Sequence, residues 1–407
     1  MDSDTLKNLQ DYYNANKDTK LQLTELLKDS ARTNQFKAET PNLLLDYSKQ
    51  HIDGEVLKQL KEISSQIGLQ DKIKKMVAGE VLNTTEQRAV LHTALRAPRT
   101  EPALEIDGEN VIEEVHIQLD KIKDLAGKVR SGEVLGCTGR RFNTILSIGI
   151  GGSYLGVKAA YEALQLTQTG YHTSRDYRML FLADPDPLDF KLKALDIDVE
   201  STLVIVLSKS FTTAETLLNA NTVKKYFVDN LKSISSFELN DETIISRHFC
   251  AVSTNLAKTH EFGIVDSRVF KIWDWVGGRF SVSSAIGVLS LSIVFGFDVV
   301  QELLDGMRDI DLSFQNEDFE NNPSVVLGVI GWFNKTIEGY STRAVLPYNQ
   351  GLRSFFLHCQ QVSMESNGKQ VDLEGNVLET PAGVVVFGDS GTKGQHSFYQ
   401  TLHQGKI

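Results

Sequence analysis

The stretch LVIVLSKSFTTAETLLNA, residues 203–220, sets the architecture of this chain. Its apolar beginning predicts a buried strand over Leu203–Leu207, and its end predicts a helix that starts at Ala214. Four hydroxyl side chains and Lys209 lie between them. Hydroxyl groups, backbone N–H groups and the positive end of a helix dipole all favour a bound anion. A single Ser or Thr is enough to cap a helix, so we predict a phosphate site here.

Strands and helices alternate around this stretch, which is typical of a parallel, doubly wound sheet. Two further strands are predicted over Thr144–Ile148 and Arg178–Leu182, and the alternation resumes near residue 323. The fold class is therefore α/β with two domains. The predicted regions are a helical N-terminal extension (residues 1–110), a first α/β domain (111–290), a helical connector (291–322) and a second, incomplete α/β domain (323–407).

The composition narrows the class of protein. A net charge of −11 over 407 residues argues against nucleic acid as a partner. Three scattered cysteines predict no structural zinc and a reducing compartment. The polar N-terminus does not have the pattern of a signal peptide. The apolar run Ala285–Phe297 is shorter than a membrane span and predicts a buried core helix, so we expect a cytoplasmic protein with no membrane contact.

A glycine-rich stretch, GIGGSYLG at 149–156, follows the strand Thr144–Ile148. Glycines at such a junction let a ligand approach the backbone closely, but they also allow tight packing, and the sequence leaves both explanations open. The spacing differs from the G-x-G-x-x-G pattern of dinucleotide-binding folds, which disfavours a nucleotide-dependent dehydrogenase.

The N-terminal extension carries one clear helix signal. Thr84 and Gln87 have the spacing of a capping box, and apolar residues at helical spacing follow until Pro98. This pattern predicts a helix that begins near Thr84 and ends before Pro98.

Three other motifs carry residues with catalytic chemistry. Arg279 follows a double glycine in DWVGGRFS (274–281), and Glu365 lies in MESNGK (364–369) at the end of a helix predicted over Leu352–Met364. His396 begins a predicted helix in GQHSFYQ (394–400). Taken singly, each is more often an ordinary surface side chain. His403 lies on the same helical face as His396, but no further ligand has metal spacing, so we predict no metal.

Together these motifs resemble the glucose-6-phosphate isomerase family, in the same order and at similar spacing from about Met76 onward. The resemblance implies two sugar-isomerase (SIS) domains, an α/β fold that is doubly wound. It also implies the interconversion of glucose 6-phosphate and fructose 6-phosphate without a cofactor or a metal. A homodimer is implied as well, in which the histidine serves the partner's site.

The resemblance assigns roles residue by residue. Glu365 would move the proton between C2 and C1, Arg279 would stabilise the enediolate, and His396 would assist ring opening. The residues implied to contact the hexose 6-phosphate are Gly152, Ser153, Ser208, Lys209, Ser210, Phe211, Thr212, Thr213 and Gln361. Such a set of base, imidazole and fixed positive charge suits proton transfer beside a carbonyl group.

The chain also departs from the family pattern. Tyr154 stands where many members have aspartate, and Ser210 where many have threonine. The family continues well beyond the equivalent of Gly405 and has a lysine and a glutamine there that reach the substrate, so we expect this sequence to be a fragment. One alternative is a sugar-phosphate-binding module without catalysis, which would need neither Glu365 nor His396.

Overall fold

A computed structural model describes residues 3–405. The strands are β1 (Lys37–Thr40), β2 (Leu43–Asp46), β3 (Glu105–Ile106), β4 (Glu109–Asn110), β5 (Thr144–Ile148), β6 (Arg178–Leu182), β7 (Thr202–Leu207), β8 (Phe249–Val252), β9 (Val269–Phe270), β10 (Thr342–Val345) and β11 (Val385–Gly388). The helices are α1 (Ser3–Asn16), α2 (Leu23–Leu26), α3 (Arg32–Gln35), α4 (Gly54–Gln66), α5 (Leu69–Val77), α6 (Val111–Ser131), α7 (Leu155–Leu164), α8 (Gln168–Thr173), α9 (Pro187–Ala194), α10 (Ala214–Ile234), α11 (Asp241–His248), α12 (Leu256–Phe262), α13 (Ala285–Phe295), α14 (Phe297–Phe314), α15 (Pro323–Thr336), α16 (Phe355–Gln360), α17 (Gly391–Gln395) and α18 (Tyr399–Gln404).

Five parallel strands form a sheet in the order β6-β5-β7-β8-β9. Every residue of β5 and β7 is buried, as expected for the central strands of a parallel sheet. After β5 the chain forms β6 on one side and then crosses to β7 on the other side. The strand order therefore reverses between β5 and β7, which is the point where ligands bind in doubly wound sheets.

The structure confirms an α/β fold with a parallel sheet, and the three strands predicted from sequence are its strands β5, β6 and β7. Only one five-stranded parallel sheet is present among the described residues. The strands β10 and β11, which fall in the predicted second domain, form a two-stranded sheet.

The described chain packs as two compact units. One comprises the residues up to Arg96 together with Leu304–Thr342 and Lys369–Val384. The other comprises Ala97–Leu303, Arg343–Gly368 and the residues from Val385 onward, and it contains the five-stranded sheet. The domain limits predicted from sequence stay a prediction.

The helix predicted to begin at Thr84 is wrong. Residues 84–87 form a tight turn, closed by backbone pairing between Asn83 and Arg88. The side chain of Asn83 accepts the Glu86 N–H at 3.2 Å, so it occupies the role expected of Thr84. A short 3₁₀ helix, His92–Arg96, is the only helical part of the predicted segment within the described residues. Side-chain bonds of Asn to the following backbone favour such turns over helices.

The apolar run near residue 290 is a core helix, as its sequence predicts. Ser284 caps α13 by accepting the Ile286 N–H at 3.2 Å, and every residue of α13 is buried. The segment Gly278–Phe295 is apolar and long enough to cross a membrane, but 78% of it is buried inside the protein. A helix that is apolar on all sides and buried on all sides belongs to the core of its unit.

A buried histidine joins the loop at Cys137 to the first residue of β7. His248 Nδ1 donates to the Thr202 carbonyl at 3.0 Å, and its Nε2 accepts the Cys137 N–H at 3.0 Å. These two bonds require the neutral ring. Burial lowers the pKa of His248 from 6.5 to about 4.

This shift predicts a loss of stability in mild acid. The unfolded chain binds the proton first, so the stabilisation from neutral His248 is complete above pH 6.5 and falls as the pH drops towards 4. We expect the protonation equilibrium of His248 to lower the free energy of unfolding by about 2 kcal/mol when the pH falls from 7.5 to 5. Urea unfolding at both pH values measures it.

The control for this prediction is a variant without the ionisable ring. His248→Phe should be less stable at pH 7.5, since two buried backbone groups lose their partner, but it should lose about 2 kcal/mol less on acidification. Substitution of the exposed His172 by Phe should leave the pH dependence as in the wild type. Equal acid sensitivity in His248→Phe and wild type would contradict the assignment.

Candidate functional site

Two loops follow the central strands at the point where the strand order reverses. The glycine turn (Gly149–Ser153) follows β5, and the phosphate loop (Ser208–Thr213) follows β7. Because Ile148 and Val206 are register partners in the parallel pair β5–β7, the two loops leave the sheet side by side. The sheet therefore brings together the two stretches that the sequence identifies as candidate ligand sites.

In the phosphate loop the single apolar residue is buried, whereas the polar residues on either side of it are exposed. Phe211 has a φ of +51°, and its ring packs edge-on against Phe262 with 5.8 Å between centroids. This left-handed conformation is unfavourable for a residue with a side chain, and the buried ring stabilises it. Ser210 and Thr212 on either side are exposed, with their hydroxyl oxygens 2.5 Å apart.

The phosphate loop leads into the long helix α10, whose first N–H groups lie at the same end as the hydroxyls. Thr213 is the N-cap residue, but within residues 3–405 its side chain makes no capping bond. Its hydroxyl instead accepts from Ser208 Oγ at 3.5 Å. Tyr154, the N-cap residue of α7, likewise provides no side-chain cap in the described chain. Two helix N-termini without side-chain caps therefore point towards this region and favour an anion.

Lys209 anchors the phosphate loop to a second loop. Its ammonium group donates to the carbonyl oxygens of Asp274 at 2.9 Å and Val276 at 3.1 Å, and it lies 3.3 Å from the Asp274 carboxylate. These contacts hold the segment just before the arginine loop (Gly277–Arg279). The role predicted for Lys209 at the substrate therefore depends on its backbone, and its side chain acts as a positioning group.

The glycine turn packs directly on the arginine loop. A Cβ atom added to Gly152 would lie 2.1 Å from the Gly278 carbonyl oxygen, so no side chain fits there. Ser281 Oγ donates to that same carbonyl at 2.6 Å and lies 3.3 Å from the Gly152 carbonyl oxygen. Tight packing, which is one of the two explanations that the sequence leaves open, therefore accounts for the glycine at position 152. A contact between Gly152 and the substrate stays a prediction.

Arg279 and Glu365 meet although they lie 86 positions apart in the chain. Arg279 Nη1 lies 3.4 Å from Glu365 Oε1, and Arg279 Nε donates to Ser366 Oγ at 2.6 Å. The side chains of Arg279 and Glu365 are 28% and 55% exposed, so a ligand can reach both. The ion pair brings a carboxylate and a fixed positive charge to one place, as the predicted roles require.

Glu365 lies at the end of an irregular helix. The sequence predicts one helix from Leu352 to Met364, but α16 covers only Phe355–Gln360 and is followed by a π-helical turn, Gln361–Glu365. The predicted helix is therefore wrong in its beginning and in its regularity. Such turns widen the backbone by one residue and are frequent at functional sites.

Gln361 opens this π-helical turn and lies over the glycine turn. Its Nε2 would be 3.0 Å from a Cβ atom built on Gly151. Its Oε1 is buried and has no hydrogen-bond partner among the described residues. A buried amide oxygen without a partner is costly, which suits an acceptor for a ligand hydroxyl.

His396 is exposed, and its helical position differs from the prediction. The sequence predicts the beginning of a helix, but His396 follows the last residue of α17 and is its C-cap. The prediction is wrong because α17 starts earlier, at Gly391. In the described part of the chain, no hydrogen bond links the His396 ring to Glu365 or Arg279.

Some functional contacts were not visible in the sequence. Ser366, Ser281 and the π-helical turn position the ion pair, and nothing in their local pattern indicates this. The sequence also suggests no role for the Lys209 side chain beyond an anion contact. Within residues 3–405, no group of three or more His, Cys, Asp or Glu side chains has the arrangement of a metal site.

The fold and the site define a class: an α/β protein with a hydroxyl-rich loop at the reversal point of a parallel sheet and a carboxylate–guanidinium pair in the same unit. Comparison with known proteins gives the family. The phosphoglucose isomerase profile matches residues 46–407. This chain belongs to the phosphoglucose isomerase family.

Individual relatives agree with this assignment. The chain is 43% identical to a cytosolic glucose-6-phosphate isomerase B of Oryza sativa subsp. japonica, over 100% of this chain and 70% of that protein. It is 44% identical to the cytosolic glucose-6-phosphate isomerase of Zea mays, over 95% of this chain and 67% of that protein. The crystal structure of a glucose-6-phosphate isomerase from Chlamydia trachomatis D/UW-3/Cx superposes with a TM-score of 0.85 at 30% identity, covering 100% of this chain and 74% of that one.

Proposed function

We propose that this chain interconverts glucose 6-phosphate and fructose 6-phosphate through an enediolate, with Glu365 as the base. The observation that carries the proposal is the approach of Glu365 to Arg279, 3.4 Å apart, beside the glycine turn. Family membership and relatives that are glucose-6-phosphate isomerases support the same reaction.

The phosphate group anchors the substrate in the phosphate loop. Hydroxyls of Ser208, Ser210 and Thr213, together with Ser153, donate to its oxygens, and the N-terminus of α10 stabilises its charge. Backbone groups of Gly152 and of Lys209–Thr212 line the same site. This anchor leaves the other end of the sugar to face the ion pair.

The chemistry needs no external oxidant, because it moves two electrons within one molecule. In the open-chain aldose, Glu365 removes the proton from C2, the C2–H electrons form a C1=C2 double bond, and the carbonyl oxygen on C1 becomes an oxyanion. Arg279 stabilises this negative charge. The O1 oxygen takes up a proton, the O2 hydroxyl loses one, and Glu365 returns its proton to C1, which leaves the carbonyl at C2. Gln361 accepts a hydrogen bond from a substrate hydroxyl.

Ring opening precedes this step, and we assign it to His396. Its imidazole donates a proton to the ring oxygen as the bond from C1 to that oxygen breaks, and the O1 hydroxyl loses its proton to solvent, which leaves the carbonyl at C1. Because His396 is exposed in this chain, we infer that it serves the site of the partner in a homodimer. Light scattering that finds only fully active monomers would contradict this arrangement.

Two further parts of the proposal concern the fold and the compartment. Gln360 Nε2 donates to the Val386 carbonyl at 2.9 Å, which ties α16 to β11, and we infer that these elements belong to a second SIS domain. A crystal structure without further strands beside β10 and β11 would contradict this.

We also propose a cytoplasmic location, as for the cytosolic relatives, and cell fractionation with all activity in an organelle would exclude it.

The function is tested by isotope exchange. With fructose 6-phosphate in D₂O, we expect deuterium at C2 of the glucose 6-phosphate that forms, because the base exchanges its proton with solvent before returning it. Nuclear magnetic resonance detects the label. A binding module without catalysis would give neither product nor label, so unlabelled, unchanged substrate at high protein concentration overturns the proposal.

A further inference from the structure

A cavity lies at the opposite end of the five-stranded sheet from the phosphate loop. Its volume is about 930 Å³, and residues next to the starts of β5, β6 and β7 line it, among them Asn143, Arg178 and Ser201. The phosphate loop follows the carboxyl end of β7. The cavity is therefore separate from the site of the proposed isomerisation, which uses none of its residues.

The charge of this cavity is opposite to that of the protein. Its lining contains five arginines: Arg130, Arg140, Arg141, Arg175 and Arg178. Only two carboxylates, Asp176 and Asp198, belong to the same lining. The whole chain carries a net charge of −11, so a concave surface with this excess of arginine stands out from the rest of the molecule.

Arg130 forms the rigid base of the cavity. Its Nη1 donates to the carbonyls of Ile293 at 3.0 Å and Val294 at 2.8 Å, and its Nη2 donates to Thr173 at 3.0 Å. These bonds satisfy the last turn of α13, where a positive charge is favourable. The guanidinium also lies over the Tyr177 ring, 4.9 Å from its centroid. Arg130 is thus a structural group that adds positive charge without being free to move.

Two of the arginines at the rim have acidic neighbours. Arg140 lies 3.4 Å from Asp198 and 3.6 Å from Glu200, and its side chain is 57% exposed. Arg178 lies 3.8 Å from Asp196 and also donates to the carbonyl of that residue. Exposed pairs of this kind are weak and exchange readily with a ligand.

Arg141 and Arg175 differ from these, because neither forms an ion pair in the part of the chain that the structure describes. Arg141 Nη2 donates to the Arg130 carbonyl at 2.8 Å, and its guanidinium lies so close to Gly132 that a Cβ there would be 2.6 Å from Nε. Arg175 stacks on the Tyr171 ring, 5.2 Å from its centroid. Both guanidinium groups are therefore held by neutral groups, and their charge is not offset by a carboxylate.

We propose that this cavity binds a small polyanion with two or more phosphate groups. Planar guanidinium groups bind phosphate oxygens through paired N–H donors, and several of them converge on one cavity here. The volume is within the range of small-molecule sites, roughly 300–1,000 Å³. One phosphate would occupy a small part of it, whereas a ligand with two or more reaches arginines on β6 and on the loop before β5 together.

Inorganic pyrophosphate is the probe for the test. Calorimetry is carried out with the active site saturated by an equilibrated mixture of glucose 6-phosphate and fructose 6-phosphate, so that the phosphate loop does not compete. We expect one pyrophosphate to bind per chain, and the double variant Arg141→Gln/Arg175→Gln to weaken binding by about tenfold or more. On addition of pyrophosphate, the backbone amides of residues 140–143 and 175–178 should exchange more slowly in the wild type, but not in the double variant.

The matched control is an exposed arginine outside the cavity. Arg99 pairs with Asp120 at 2.8 Å, and Arg99→Gln should leave the pyrophosphate affinity within about twofold. Arg175→Gln alone, which removes only a ring contact, should weaken binding while the isomerase activity reports an intact fold. The proposal is overturned if the double variant binds as the wild type does, if Arg99→Gln weakens binding as much, or if an oligonucleotide displaces pyrophosphate with higher affinity.

Discussion

Glu365→Gln is expected to lower kcat for isomerisation by about 10³-fold, because the amide cannot take the proton from C2. Its carbonyl oxygen keeps the shape of the carboxylate and can still accept from Arg279, which lies 3.4 Å away in the wild type. Binding of fructose 6-phosphate should therefore change by less than about threefold. Steady-state kinetics and calorimetry measure the two effects separately.

The control for this prediction is an exposed glutamate outside the site. Glu379→Gln has the same change in charge and should keep wild-type kinetics. If Glu365→Gln retained more than about a tenth of the wild-type kcat, another group would have to be the base. Loss of binding along with kcat would indicate a structural role for Glu365, and the catalytic assignment would fail.

Gly152→Ala is expected to damage the site without touching any catalytic side chain. The new Cβ would lie 2.1 Å from the Gly278 carbonyl oxygen and 2.3 Å from its carbon. Both are backbone atoms that cannot rotate away, so the glycine turn and the arginine loop must separate. A displacement of Arg279 by about 1 Å predicts a loss of about 10²-fold in kcat/KM. The strain should also cost about 1–3 kcal/mol of unfolding free energy.

Two other glycines provide matched controls. A Cβ on Gly278, on the other side of the same contact, meets no atom within 4 Å, and neither does one on the exposed Gly127 in α6. Gly278→Ala should therefore keep the loops together, and Gly127→Ala should stabilise the helix by up to about 1 kcal/mol. A Gly152→Ala variant with wild-type kinetics and unfolding would show that the contact does not position Arg279.

The parallel sheet and the position of the phosphate loop between a strand and a helix were predictable from sequence because their signals are local. An unbroken apolar run such as Leu203–Leu207 has few alternatives to a buried strand, and hydroxyls before a helix favour an anion wherever the chain runs. The segment near Thr84 shows the limit of local patterns. Its capping-box spacing is real, but Asn83 makes the competing turn, and a side-chain bond of about 1 kcal/mol is enough to decide between them.

The hairpin β1–β2 near the beginning of the chain was not predicted. Its residues pack in a cluster with distant ones, and Ala38 and Phe333 are both buried there. Strand pairing in such a short segment is decided by the surface that it covers rather than by its own propensity.

The sequence by itself determined the residue types of the candidate site, the hydroxyl-rich loop between a strand and a helix, and the parallel sheet, since each follows from a pattern within a few residues. Only the tertiary structure decided how those residues meet. The close contact of Gly152 with Gly278, the anchoring of the arginine loop by Lys209 and the approach of Arg279 to Glu365 join segments far apart in the chain. Such contacts depend on shape complementarity between backbones, which no local periodicity records. The hydroxyl-rich loop is thus a property of one local stretch, whereas the pairing of Arg279 with Glu365 is a property of the packed unit.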